Sequence, residues 1–538
     1  MPSVHDEFWR LARGLGMTTV FGNPGSTELT FLSDFPADMR YVLGLHEGAV
    51  VAMADGFAQV SGGPVLVNLH TAPGVGNAMG ALLTARDSHA PLVVTAGNQV
   101  RSMLTARHWL VNDEPTVLPR PAVKFAYEPP RAQDLPAALA RAAHLAMSPP
   151  RGPVVVSMPQ DDYAEQMDAE VVDDLVARTV ATRAGLPAGA LHELADRLAA
   201  ARNPALVLGL SADAAGGRDD ALALARHQHL PVYAAPSSGR SVFPSDDRLF
   251  AGYLPFGAEL IHDELAGHDL VVVVGAPVFT CYPNLPSRLV PRETQLVMVS
   301  DDPDEIARAP LGDAFLADPG LALAALATEL RGREESTRRL PAVKSPPAAP
   351  TAAAGDRPTA AEVFAALGPA LPYRLRVTKE SPSNLADFRT YVPLTFAPCG
   401  YLSTPNGGLG YGLPAGVGAA IADPDTPVLV VVGEGSLQFT GQALWTAARH
   451  RSPVVTLVIR NDEYDILKSY ADFQDVGGAP GLNLPGLDTV AYARSYGVPG
   501  TRVDNGPDAV RDAVVEALRS GGPALVEAPV EASVPPLV

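Results

Sequence analysis

Two oxygen-bearing side chains near the end of the chain, Glu434 and Asn461, flank the stretch VLVVVGEGSLQFTGQALWTAARHRSPVVTLVIRNDEY. A carboxylate and a carboxamide oxygen suit a hard cation such as Mg²⁺. A cation held there can carry a diphosphate, and the amides of Gly435 and Ser436, at the entry of a helix, favour anionic oxygens. A second carboxylate, Glu47, lies in LGLHEGAVVAMADGFAQVSGG, between an apolar run and an Ala-rich segment. Its plain role is a first-turn acid favoured by the helix dipole. Ser26 follows a Pro-Gly turn, and its plain role is an N-cap for the apolar run that follows. His70 ends VLVNLH, and imidazole is the side chain suited to acid–base work near neutral pH. A lone histidine is more often structural.

The elements around these residues follow from the spacing of apolar positions. Residues 428–432 read as a buried strand, 433–436 as a turn, 442–450 as a helix and 454–459 as a second strand. This is one parallel βαβ unit with a right-handed crossover. It puts Glu434 and Asn461 past the carboxyl ends of two strands, the edge where open α/β sheets bind ligands. Around Glu47, residues 42–45 read as a strand and 48–60 as a helix. The pattern recurs along the chain, which predicts an α/β protein of three doubly wound parallel-sheet domains. Residues 1–180 form the first, with strands at 64–69, 91–96 and, late, 153–158. Residues 185–333 form a middle domain carrying PALVLGL and LVVVVGA. A Pro/Ala-rich linker spans 334–358, and residues 359–538 form the third domain.

Composition bounds the class. The chain has 538 residues, enough for several cores. With 47% hydrophobic and 18% charged residues it is not of the disordered class. A formal net charge of −19 argues against nonspecific nucleic-acid binding. Two cysteines, Cys281 and Cys399, give neither a disulfide framework nor a zinc set. The start has no basic region leading into an apolar one, and no apolar run is long enough to cross a bilayer. The expectation is a cytoplasmic enzyme with no membrane or nucleic-acid partner.

The Glu434–Asn461 segment resembles the thiamine-diphosphate-binding motif, with glutamate where the family has aspartate. HEGAVVAMADGFA resembles that family's catalytic-glutamate segment. VFGNPGSTELTFLSDFP, NLHTAPGVGNAMGAL, LPRPAVKFAYEP, GAPVF, GGLGYGLPAG and PGLNLPGLD follow in this order over essentially the whole chain. Together they resemble the benzoylformate-decarboxylase branch. FGNPGS with NLH separates that branch from pyruvate decarboxylases, whose paired histidine is absent. The resemblance implies thiamine diphosphate with Mg²⁺ (or Ca²⁺), and no flavin. It puts Glu47 beside N1′ of the aminopyrimidine, where a carboxylate favours the imino tautomer that deprotonates the thiazolium. Ser26 then meets the substrate carboxylate and His70 serves proton transfer. Asn23, Gly25 and Asn77 contact the cofactor beside Glu47. Gly407 offers its carbonyl to the aminopyrimidine, and Leu409 presses beneath the cofactor and enforces its bend, a proximity effect. Gly435 and Ser436 serve the diphosphate. Ser381 and Ser383, in TKESPSN, are candidates for diphosphate or substrate, in a segment that departs from the family. Glu434, Asn461 and the backbone carbonyl of Glu463 hold the metal. The implied reaction converts a 2-oxo acid to an aldehyde and CO₂. The implied assembly is a homodimer or homotetramer whose sites lie between the first domain of one chain and the third of another.

The departures bear on substrate. In GAPVFTCYPNLP, Tyr282 falls at or beside the branch's second histidine, and a phenol is a poorer proton shuttle than an imidazole. In EYDILKSYADF, Ile466 falls where the family has a small residue and Tyr470 where it has an aromatic. Leu467 falls where pyruvate decarboxylases carry glutamate. A bulkier Ile466 should narrow the pocket, since close-packed sites register single methylenes. Three readings stay open: a nonoxidative decarboxylase, a carboligase that forms acyloins, and a noncatalytic cofactor-binding homologue, the last motivated by Glu434.

Overall fold

Runs of β-branched residues dominate the chain's strands, and they form sheets buried on both faces, as parallel sheets require. The computed structural model describes residues 1–341, 347–348, 350, 357–394 and 399–537. Three six-stranded sheets result, parallel at every pairing. The first holds β1 (Thr19–Gly22), β2 (Arg40–Leu43), β3 (Val65–Leu69), β4 (Leu92–Asn98), β5 (Phe125–Tyr127) and β6 (Val154–Pro159). Their spatial order is β2-β1-β3-β4-β6-β5. The middle sheet holds β7 (Pro204–Leu208), β8 (Val232–Ala234), β9 (Phe250–Tyr253), β10 (Leu270–Val274), β11 (Gln295–Ser300) and β12 (Asp313–Leu316), in the order β12-β11-β10-β7-β8-β9. The third holds β13 (Arg376–Glu380), β14 (Tyr401–Ser403), β15 (Val428–Gly433), β16 (Val454–Arg460), β17 (Gly500–Arg502) and β18 (Ala524–Pro529). Its order, β14-β13-β15-β16-β18-β17, repeats that of the first sheet.

The strands expected at 64–69, 91–96 and 153–158 are β3, β4 and β6, and those at 428–432 and 454–459 are β15 and β16, paired in parallel. The helix expected at 442–450 is present as Ala443–His450, and a further helix precedes it where a turn was expected. Gly433 is extended, Glu434–Thr440 is helical, and a second helix, Ala443–His450, follows. The Gly-Glu-Gly-Ser turn is therefore a helix start. Gly441 sits at the break, where a Cβ would land 2.3 Å from the Tyr492 ring. The strand expected at 42–45 lies two residues earlier, as β2, because His46 is spent capping the Glu47–Ser61 helix through its side chain. Of the linker expected at 334–358, residues 342–346, 349 and 351–356 lie outside the described residues.

The first and third sheets share one apolar core. It joins Val67, Leu69 and Val50 to Val417, Val430 and Leu444, while the middle sheet has cores of its own. At the junction, the Glu47–Ser61 helix runs antiparallel to Gly412–Ala422. A Cβ on Gly56 would meet the Ala415 carbonyl oxygen at 2.0 Å, and one on Gly418 the Met53 carbonyl oxygen at 1.8 Å. Only glycine permits backbones this close. Met53 lies level with Gly418, so Glu47 and Gly412 stand twelve helical residues apart along this pair, an axial distance of about 18 Å. Among the described residues no helix is long and apolar enough to cross a membrane.

Candidate active site

The residues expected to do chemistry fall into two groups at opposite ends of that helix pair. The first gathers at the carboxyl edge of the first sheet. Glu47 begins its helix and is buried; its two oxygens each accept an amide hydrogen, from Asn23 Nδ2 and Asn77 Nδ2, both at 3.0 Å. Asn23 follows β1, and Asn77 lies on the Thr71–Asp87 helix that leaves β3. The carboxylate is thus fixed in one orientation by side chains from two other elements.

His70 ends β3 and turns its ring onto Gly25, where a Cβ would collide with Nδ1 at 2.2 Å. Gly25 is therefore required by the imidazole. His70 Nδ1 lies 2.8 Å from Glu28 Oε2. Glu28 is fully buried and also accepts from the amides of Gly25 at 2.9 Å and Gly97 at 3.0 Å and from the Thr27 hydroxyl at 2.7 Å. A carboxylate so placed only accepts, which makes Nδ1 the donor and leaves Nε2 as the free nitrogen of His70. Ser26 opens a short 3₁₀ turn with Gly25 as its cap, so its hydroxyl does not cap a helix and is exposed beside this cluster.

The second group lies at the carboxyl edge of the third sheet. Glu434 is buried at the start of its helix and turns Oε1 back onto the amides of Asp462 at 2.7 Å and Asn461 at 3.3 Å. Its extra methylene relative to aspartate makes this reach possible and leaves one oxygen for a cation. Burial pushes the Glu434 carboxyl up to about 7, a cost that a bound cation would offset. Asn461 donates Nδ2 to Asp465 Oδ2 at 2.5 Å and receives the Glu463 amide on Oδ1 at 3.2 Å. The donor set is a carboxylate, a carboxamide oxygen and a backbone carbonyl, all hard oxygens that fit Mg²⁺ or Ca²⁺. Among the described residues no three His, Cys, Asp or Glu side chains gather as a metal centre of their own. The Glu463 side chain is ion-paired with Lys468, so only its backbone remains for this purpose.

The same edge collects the other candidates. Gly435 and Ser436 occupy the first turn of the Glu434–Thr440 helix. Gly407 has φ +75°, and Leu409, half-buried in the Gly-rich turn before Gly412–Ala422, belongs to none of the main apolar cores. Ser383 Oγ accepts the Ile466 amide at 3.1 Å, which ties that turn to the Asp465–Phe473 helix. Ser381 is buried and donates its hydroxyl to Asn384 Oδ1 at 2.7 Å. Tyr282, 58% exposed, lays its ring 4.9 Å from that of Tyr470, bringing the middle domain against the helix that also carries Ile466 and Leu467. Leu467 points outward and is exposed.

Two carboxylates at these edges carry no motif that singles them out in the sequence. For Glu28 the only signal is the acid of Ser-Thr-Glu. Asp465 opens the helix that follows Asn461 and accepts from its Nδ2; burial, with Glu463 nearby, pushes its carboxyl up to about 6, and its Oδ2 also receives the Ser533 amide at 3.1 Å.

Comparisons with known proteins cover nearly all of the chain. Residues 3–114 match the family "Thiamine pyrophosphate enzyme, N-terminal TPP binding domain". Residues 191–326 match its central domain and 385–528 its C-terminal TPP binding domain. A benzoylformate decarboxylase from Pseudomonas aeruginosa is 45% identical over 533 residues, covering 99% of each chain. Among solved structures, the thiamine diphosphate-dependent 4-hydroxybenzoylformate decarboxylase of Rhodococcus jostii RHA1 superposes with a TM-score of 0.95 at 41% identity. It covers 99% of this chain and 100% of that one. A benzoylformate decarboxylase from Polynucleobacter necessarius gives 0.94 at 37% identity, over 100% of both.

Proposed function

The chain belongs to the thiamine pyrophosphate enzymes, and from that premise we propose that it decarboxylates an aryl 2-oxo acid of the benzoylformate type to an aldehyde and CO₂. The observation that carries the reading is the Glu47 carboxylate gripped by Asn23 and Asn77 at the first sheet's edge, in a chain that matches such decarboxylases end to end. A noncatalytic homologue would have no use for that arrangement.

When bound, thiamine diphosphate supplies the electron sink that lets a 2-oxo acid lose CO₂. The chain's own residues place and protonate. Glu47 is the group that exchanges a proton with the aminopyrimidine, and Asn23 and Asn77 fix its oxygens. The exposed Ser26 hydroxyl receives the substrate carboxylate. His70, held through Nδ1 by Glu28, moves a proton at Nε2. Glu434, Asn461 and the Glu463 carbonyl would hold the cation, and Gly435, Ser436 and Ser383 would stand beside the diphosphate. Gly407 and Leu409 would lie against the cofactor.

Glu47 and the Leu409 turn lie at opposite ends of one helix pair, which supports completion of each site by a second copy. A homodimer, or its doubled tetramer, is therefore part of the proposal, with residues 1–180, 185–333 and 359–538 as its domains. A cytoplasmic setting belongs to the same reading, and two unpaired cysteines fit it.

The test is CO₂ release from a panel of aryl and short linear 2-oxo acids, with aldehyde quantified alongside. Benzoylformate-like acids should be turned over with equal amounts of CO₂ and aldehyde. No release from any of them by cofactor-loaded protein would sink the proposal. Ile466→Ala adds a graded check. Apolar pockets discriminate by roughly 1–3 kcal/mol per methylene, so this change should shift the preference toward benzoylformate over a short linear acid by about tenfold or more. An unchanged ratio removes Ile466 from the pocket. Glu28→Gln should lower kcat by about 100-fold, the low end of a general acid–base contribution, with little change in KM. Activity near the unaltered enzyme's would show that His70 works without its carboxylate.

A further inference from the structure

A cavity of about 320 Å³ lies away from the active site, between the first domain and the carboxyl edge of the middle sheet. Its two walls meet where the Ser211 hydroxyl lies 3.0 Å from His89 Nδ1. The middle sheet's order reverses direction at β7, and open sheets of this kind bind ligands at that edge.

Two opposite charges, which attract one another across this space, face it without a close partner. Arg151 has one hydrogen bond, from Nη1 to the Gly62 carbonyl at a weak 3.4 Å, and among the described residues no carboxylate within ion-pair distance. Asp301, the residue after β11, keeps Oδ1 buried without a partner. His144 Nε2 is likewise buried and unpartnered in the same wall. The neighbouring pair Arg183–Asp318 is already closed, since Arg183 Nε and Nη2 donate to the two Asp318 oxygens at 2.5 and 2.7 Å. Burial outweighs that attraction: it lowers the Arg151 guanidinium and raises the Asp301 carboxyl to about 6. Unpaired partly buried charges are costly, and one ligand carrying both complements would answer both. Leu15, Ala143 and Met147 supply an apolar side.

We propose that this cavity binds a free α-amino acid with an apolar side chain, its carboxylate on Arg151, its ammonium on Asp301 and its side chain along Leu15, Ala143 and Met147. A dianion is disfavoured because Asp301 and Asp318 face it. A simple amine is disfavoured because it meets Arg151. A 2-hydroxy acid offers Asp301 a hydrogen bond without a countercharge. The volume sits at the small end of the roughly 300–1,000 Å³ usual for small-molecule sites, which matches an amino acid.

Calorimetric titration of the cofactor-loaded enzyme tests this with L-phenylalanine and L-leucine against 3-phenylpropionate, 2-hydroxy-3-phenylpropionate and phenethylamine. The amino acids should bind saturably and raise the melting temperature, as a ligand selective for the folded state does. The three analogues should each bind at least tenfold more weakly. Asp301→Asn should erase the preference for amino over hydroxy acid, and Arg151→Met should remove binding. Both variants should keep kcat and KM. Equal binding of 3-phenylpropionate, no binding of either amino acid at millimolar concentration, or displacement of the amino acid by the 2-oxo acid substrate would each overturn the proposal. The analogue series uses the unaltered enzyme, so the test stands even where a variant fails to fold.

Discussion

Glu47→Gln should lower kcat by about 10²- to 10⁴-fold, the span of a lost general acid–base contribution, while the protein still takes up thiamine diphosphate. Both carboxylate oxygens accept amide hydrogens in the structure. Glutamine keeps one acceptor, and an asparagine can flip to meet its new N–H₂, so the local packing survives. The charge that draws a proton does not. Turnover, cofactor binding by calorimetry and far-ultraviolet circular dichroism should be read on the same sample. Turnover within a few-fold of the unaltered enzyme would exclude Glu47 as the proton-exchanging group.

Removal of the divalent cation should have an effect of similar size by another route. Exhaustive chelation should release the cofactor, abolish turnover and lower the melting temperature, with recovery on adding Mg²⁺. A cation there would gather Glu434, Asn461 and a backbone carbonyl, and it would neutralise a carboxyl that burial otherwise pushes up to about 7. A ligand present at a hundred times its Kd stabilises by about 2.7 kcal/mol, enough to move a melting curve. Diphosphate that stays bound, with turnover intact after chelation, would dismiss the metal role of Glu434 and Asn461.

The edge that carries Glu434 and Asn461 was legible because VLVVV and VVTLVI leave no alternative to buried parallel strands. Glu47 was legible because its helix is so rich in small residues that it must pack closely. Glu28 was not: in Ser-Thr-Glu-Leu an acid reads as part of a helix cap. Its role depends on His70 and Gly97, 42 and 69 residues away, which sequence spacing does not connect. The bond from the Ser381 hydroxyl to Asn384 was not legible either, because TKESPSN departs from the family and gives no pattern to read it from. The helix start at Glu434 was missed because glycines on both sides of it read as a turn, whereas an extended Gly433 simply precedes the first helical residue.

The contact of Gly56 and Gly418 with opposing backbone makes the two helices behave as a stiff beam, since no compressible side-chain layer lies between them. A tilt that moves Glu47 at one end must swing the Leu409 turn at the other through a comparable arc. If copies of the chain share their sites, each beam ends in two of them. A substitution chosen to reshape one mouth then carries leverage into its neighbour, and engineering of substrate scope should be judged on both at once.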